Sequence, residues 1–287
     1  MKRDKYFVGY ITFDDSPRIE IIRRTANSLA VKLFCCEPEE IIFSETRFQL
    51  DDISISTLTL RQRNKRFNIL VKNWDIYKKS RNFNSQTFLH QLRNRLLCEY
   101  DHHSNKRLVK EMLLADKHVY LWRSFLESSS SLLCVMEDDA LFYEDIHHTI
   151  SRWSGLCSFM ASTYDKNLID CFSRYNLYID CAGGFSFDSL DICADYICNP
   201  EGLPEGVIAL RKIFTNTSCM YIMSRPLVVE MYKIVSENPG LRFLPSDWLI
   251  NACAIDIEHQ SISTSCFHFA PPLLQHSSVS SGASYMR

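Results

Sequence analysis

The chain has 287 residues, 46% of them hydrophobic and 23% charged, with a formal net charge of −2. That length suits one large α/β domain or two small ones, and the composition is that of a globular protein with a sizeable core. The near-neutral charge excludes a general pull toward nucleic acid or an anionic membrane, and no apolar run approaches the ~20 residues that span a bilayer.

The basic opening Met1–Lys5 is followed only by the short run Tyr6–Thr12, too brief for a signal-peptide core. A cytoplasmic chain is therefore expected. Its 12 cysteines are scattered, include the vicinal Cys35-Cys36 and form no CxxC pair suited to zinc. Cys134, Cys219 and Cys253 lie inside apolar segments, where a free thiol behaves as a small hydrophobe. Reduced cysteines are the expectation.

Tyr6–Thr12 alternates as a first strand, and Asp14-Asp15-Ser16-Pro17 breaks it and offers a cap to a helix over Arg18–Leu29. Val31–Cys35 suggests a second strand. The basic, aromatic stretch Arg61–Arg81 reads as a solvated helix face, with a nucleic-acid strip as the competing reading. Gln86–Tyr100 carries leucines at helical spacing. A second helix near Glu111–Leu126 aligns His118, Leu121, Trp122 and Phe125 on one stripe and leads through Ser128–Ser131 into the next strand.

That strand is the most informative stretch. Leu132–Met136 is a short apolar run, read as a buried strand, and Glu137-Asp138-Asp139 follow where it ends. In an open α/β sheet ligands bind beyond the carboxyl ends of strands. Three adjacent carboxylates there need a cation or shifted titration to coexist, and their hard oxygens suit Mg²⁺ or Mn²⁺. A solvated acidic turn is the bland alternative.

Downstream, Asp165–Glu205 has a weak pattern and is expected to be mobile or acceptor-facing. Thr217–Met223 reads as a buried strand, and Pro226–Val235 as an amphipathic helix stopped by Asn238-Pro239-Gly240. A further helix starts at Ser246-Asp247-Trp248, where either acid or serine suits an N-cap; Asp247 also suits a general base beside a stacking Trp. His276 lies in a tail too poor in pattern for a helix or strand, yet neutral imidazole ligates Mn²⁺ well. His102-His103 and His147-His148 read as surface pairs.

Strand, Glu-Asp-Asp, then Ala140-Leu141-Phe142 resembles the variant DxD signature of GT-A glycosyltransferases. The similarity is closest to glycosyltransferase family 25, the lipooligosaccharide-type enzymes. Ser16-Pro17-Arg18 and Arg23-Arg24 resemble that family's first turn and helix. Glu111, His118 and Trp122 resemble its helix before the acidic strand, with Lys117 standing where Ser is usual. The tail Gln275–Gly282 is similar to that of type-IV N-acetylglucosaminyltransferases.

The resemblance implies a single GT-A, Rossmann-like α/β domain over residues 1–287, with a mixed, mostly parallel central sheet and flanking helices. Its donor-binding half would cover about 1–145 and its acceptor-side half about 146–287. It implies a metal-dependent, inverting glycosyltransferase of polysaccharide or lipooligosaccharide biosynthesis, moving a sugar from a nucleotide donor, a UDP-sugar first, to a glycan hydroxyl. Asp139 and His276 would hold Mn²⁺ or Mg²⁺. Thr12, Arg18, Glu111, His118, Glu137 and Asp138 would bind donor, and Asp247 would be the base. No stable nucleic-acid binding and no transmembrane segment are expected, and any membrane contact would be peripheral. The alternatives are a metal-dependent hydrolase or phosphoesterase, and a nucleic-acid-directed or non-catalytic GT-A relative.

Overall fold

The computed structural model describes residues 5–13, 20, 24, 33–34, 40–48, 102–138, 140–142, 146–182, 196–198, 200–215, 217–238, 241–242 and 244–276. Within these, 13, 47–48, 102–113, 141–142, 146 and 275–276 are described by their backbone alone. The strips at Arg61–Arg81 and Gln86–Tyr100 lie outside these residues, as does most of Arg18–Leu29, of which Glu20 and Arg24 are helical.

The described elements run β1 (Tyr6–Phe13), β2 (Ile41–Phe48), α1 (His102–Glu127), β3 (Leu132–Glu137), β4 (Ala140–Phe142), α2 (Ile146–Tyr164), α3 (Leu168–Arg174) and β5 (Leu177–Asp180). They continue with β6 (Val207–Leu210), β7 (Met220–Ser224), α4 (Arg225–Glu237), α5 (Ser246–His259), β8 (Ser265–Phe269) and β9 (Leu274–His276). Seven strands form one mixed sheet in the order β2-β1-β3-β7-β5-β8-β6. β2, β1, β3, β5 and β8 run one way, while β7 and β6 run against them. The chain is thus an α/β protein whose seven-stranded sheet draws strands from both its first and second halves.

The strands are apolar on both faces because helices cover both. Phe7, Ile11, Leu133, Val135, Tyr221 and Met223 pack with α1, α4 and α5 on one side. Tyr6, Val8, Tyr10, Leu132, Cys134 and Ile222 pack with α2 and α3 on the other. Neighbouring residues of one strand fall in opposite cores, as the two-residue period of a strand requires. All six residues of β3 are buried, which is why it reads as an unbroken apolar run.

Two contacts fix α1 against this sheet. A Cβ on Gly9 would lie 2.8 Å from both Cδ atoms of Leu121, so the bare glycine is what lets the helix approach β1. At the far end, Arg225 donates to the carbonyls of Leu126 and Ser130, both at 2.7 Å. A guanidinium placed there meets the unpaired carbonyls and negative end of the helix.

Three expectations are corrected. Leu33 and Phe34 are helical, not strand, and the Phe34 ring stacks on Tyr6 at 4.6 Å. The strand beside β1 is Ile41–Phe48 instead. A short apolar run cannot be assigned to helix or strand by periodicity alone. Within Asp165–Glu205 lie α3 and β5, and β5 sits between β7 and β8, well inside the sheet. Four residues of central strand carry too short a pattern to register. The tail is also ordered, since Leu274–His276 pairs with β4.

Candidate functional site

β1 lies between β2 and β3 and is parallel to both, so the next two described strands in chain order flank it on opposite sides. Such a reversal opens a crevice beyond the carboxyl ends of the strands. Thr12 near the end of β1 and Glu137 and Asp138 at the end of β3 stand at that place, with Ile11 in register with Glu137. The remaining carboxyl ends on this edge bring Asp180 of β5, beside His268 of β8.

A second pairing closes on the acidic run. In the antiparallel ladder of β4 and β9, Ala140 lies opposite His276. Residues 136 positions apart in sequence are thereby neighbours, and position 276 stands beside the residue that follows Asp139. Asp139 itself, Arg18, and the side chains of Glu111 and His276 lie outside the described residues.

Glu137 is held from two sides. His118 Nε2 approaches its Oε1 at 3.1 Å, and Ser218 Oγ donates to the same oxygen at 2.6 Å. Ser218 in turn shares a hydrogen bond of 2.5 Å with Ser246. His118 Nδ1 lies 2.8 Å from the Tyr221 hydroxyl, which also accepts from Trp122 Nε1 at 2.9 Å. Burial pushes the Tyr221 phenol well up, so it stays protonated. The Glu137 side chain keeps a tenth of its surface exposed, whereas that of His118 keeps none. Both ring nitrogens of His118 are engaged inside the core, and the histidine sits behind the carboxylate.

Thr12 is fully buried and its Oγ1 has no hydrogen-bond partner among the described residues. Asp138 is almost buried in the turn after β3. Asp247 lies in the first turn of α5, where a carboxylate faces the positive end of the helix. The N-cap is Pro245 and no side chain caps the helix, so neither Ser246 nor Asp247 plays the cap role that its type suggests. Ser246 is instead spent on Ser218, which brings the start of α5 to within two hydrogen bonds of Glu137.

Asp180 was missed by sequence reading, because a lone acid at the end of a weak four-residue strand carries no signal. Its Oδ1 accepts from the Ala182 amide at 3.1 Å and its Oδ2 lies 2.7 Å from Thr215 Oγ1. Burial pushes it up to about 8, against the lowering effect of those two bonds. His268, 3.6 Å away, is pushed down to about 3 by burial. Both groups are therefore neutral near pH 7. Thr215 also contacts the Thr217 carbonyl at 2.5 Å, and its own backbone is clasped by Asn251 of α5 at 2.9 and 2.7 Å.

Among the described residues no three His, Cys, Asp or Glu side chains group as a metal site. The backbone meets one requirement of such a site, bringing position 276 beside an acidic run whose oxygens suit a hard divalent cation. Among the described residues no two cysteines are joined in a disulfide, and no helix there is long and apolar enough to cross a membrane. No protein-family model matches this chain, and no curated protein is similar to it in sequence.

Proposed function

We propose that this protein is a metal-dependent glycosyltransferase that moves a sugar from a nucleotide donor to a glycan hydroxyl. The observation that carries the reading is the acidic end of β3, set at the reversal of strand order with position 276 paired alongside. A nucleoside diphosphate is a polyanion, and the crevice at such a reversal is where nucleotides are received.

In this reading Asp139 and His276 hold Mn²⁺ or Mg²⁺, which when bound neutralises the charge of the departing diphosphate. Glu137 and Asp138 accept hydrogen bonds from donor hydroxyls. Glu137 Oε1 is occupied by His118 and Ser218, and Oε2 has no partner among the described residues, so Oε2 is the oxygen available to a ligand. Thr12 offers a buried hydroxyl at the neighbouring strand end. Asp247 removes the proton from the acceptor hydroxyl as the new bond forms, which inverts the anomeric centre. The start of α5, tied to Glu137 through Ser246 and Ser218, supports that role by keeping the base near the donor acids.

The test is a thermal-shift screen of UDP-, GDP- and CMP-sugars with and without Mn²⁺. A ligand that binds only the folded state adds about 2.7 kcal/mol of apparent stability at 100 times its Kd. One donor should shift the melting temperature only with metal, and transfer to an added sugar should follow. Asp139→Ala should abolish both the shift and transfer, while Asp247→Asn should keep the shift and lose transfer. Full turnover by Asp139→Ala would remove the centre of the reading. Stabilisation by phosphate esters but by no nucleotide sugar would move it to a hydrolase.

A further inference from the structure

We infer that His118 is a positioning residue, fixed as the neutral Nε2–H tautomer by Tyr221 and Trp122, so that hydrogen bonds converge on one oxygen of Glu137 from α1 and from Ser218, which Ser246 of α5 backs in turn. The functional consequence rests on the donor-binding reading of Glu137; the tautomer does not.

The direction of each bond follows from counting hydrogens. The indole N–H of Trp122 can only donate, so the Tyr221 oxygen accepts it. The phenolic hydrogen then needs an acceptor, and His118 Nδ1 is the one within reach among the described residues. Nδ1 is therefore unprotonated, and the ring carries its hydrogen on Nε2, facing Glu137 Oε1. The opposite tautomer would set two lone pairs against each other at that contact and leave the phenol without an acceptor. An imidazolium would likewise strand the phenolic hydrogen, which buried groups avoid at a cost of about 1–3 kcal/mol.

From the other side, Ser218 donates to the same Oε1, and the Ser246 hydroxyl donates to Ser218. Glu137 is thereby held at Oε1 from α1 and from the Ser218 segment, which share no sequence neighbourhood. Tyr221 belongs to β7, where it sits in register with Val135 of β3, so the chain of bonds is anchored in the sheet itself. The arrangement explains why a wholly apolar helix stripe contains a histidine at position 118.

The experiment is ¹⁵N NMR of histidine-labelled protein, with the His118 signal identified by its loss in His118→Gln. The expected pattern is one protonated and one unprotonated ring nitrogen, the protonated one being Nε2. Tyr221→Phe should release the constraint and give a mixture of tautomers. A protonated Nδ1, or an imidazolium at pH 7, would overturn the assignment whether or not the protein binds any sugar nucleotide.

The kinetic arm compares His118→Leu with His118→Gln, whose amide N–H can still reach Glu137. His118→Leu should raise KM for donor about tenfold, in the range seen for residues that orient a ligand-binding group. His118→Gln should recover most of that loss. A role in folding alone would instead lower apparent kcat with KM unchanged and no recovery by Gln, and would overturn the proposal. Absence of any donor activity in the unmodified protein would count against the glycosyltransferase reading and leave the tautomer result standing.

Discussion

Glu137 and Asp180 occupy equivalent places, each the last residue of a strand running in the same direction in one sheet, yet their surroundings differ in kind. Glu137 is gripped at a single oxygen by His118 and Ser218 and keeps some exposure. Asp180 has both oxygens engaged, by Ala182 and Thr215, and is sealed in. An acid bonded at one oxygen and partly exposed keeps capacity to accept a further hydrogen bond. An acid bonded at both and neutralised by burial acts as a latch between β5, the 215–217 segment and, through Asn251, α5. Position at a strand end is therefore not sufficient to mark a site; the second oxygen decides.

Replacing each carboxyl tests that contrast, and the largest effect is expected at Glu137. Glu137→Gln keeps an acceptor for His118 and Ser218 but puts an NH₂ in place of Oε2. It should cost about 10- to 100-fold in kcat/KM, the worth of one or two charge-assisted hydrogen bonds, with little change in melting temperature. A stability loss as large as the activity loss would make Glu137 a second latch.

Of intermediate size is Asp180→Leu, which leaves the Ala182 amide unpaired and takes one partner from Thr215. Denaturant unfolding should show a loss of about 1–3 kcal/mol. Donor affinity in the remaining folded protein should be unchanged. Altered affinity would place Asp180 in the site rather than behind it.

The smallest effect is the pH slope from Asp180→Asn. The folded protein holds the Asp180 proton up to about pH 8, whereas the unfolded chain releases it near the ordinary carboxyl value of 3.8. Its contribution to stability is thus complete at low pH and is lost as pH rises toward 8. His268 acts oppositely, because its depressed value of about 3 makes stability grow with pH up to the ordinary imidazole value of 6.5. The two offset each other below pH 6.5, and Asp180 acts alone from there to about 8. Stability should fall in that interval by at most about 1.4 kcal/mol per pH unit. Asn, whose NH₂ can donate to Thr215 as the protonated acid does, should abolish the slope. An unchanged slope would show that Asp180 is not its source.

Parts of this arrangement were legible in the chain and parts were not. β1, β3, α4 and the start of α5 announce themselves through uninterrupted apolar runs or clear helical spacing. Glu137 and Asp138 stand out because acids abutting a buried run are costly without a purpose. The short strands β5, β6, β8 and β9 escape notice, since three to five residues are too few for a period to show. The role of His118 could be suspected from its place on an apolar stripe, but not its partners, because Tyr221 lies 103 residues away.

By itself the sequence determined the local matters: an α/β alternation, a strand ending in acids, and a histidine among the apolar residues of one helix. Only the tertiary structure decided which of those polar groups meet. Strand order, the β4–β9 register and the meeting of His118 and Ser218 on Glu137 depend on contacts between distant segments. Such contacts form because buried polar groups must find partners wherever the fold presents them, and local propensity carries no record of that choice.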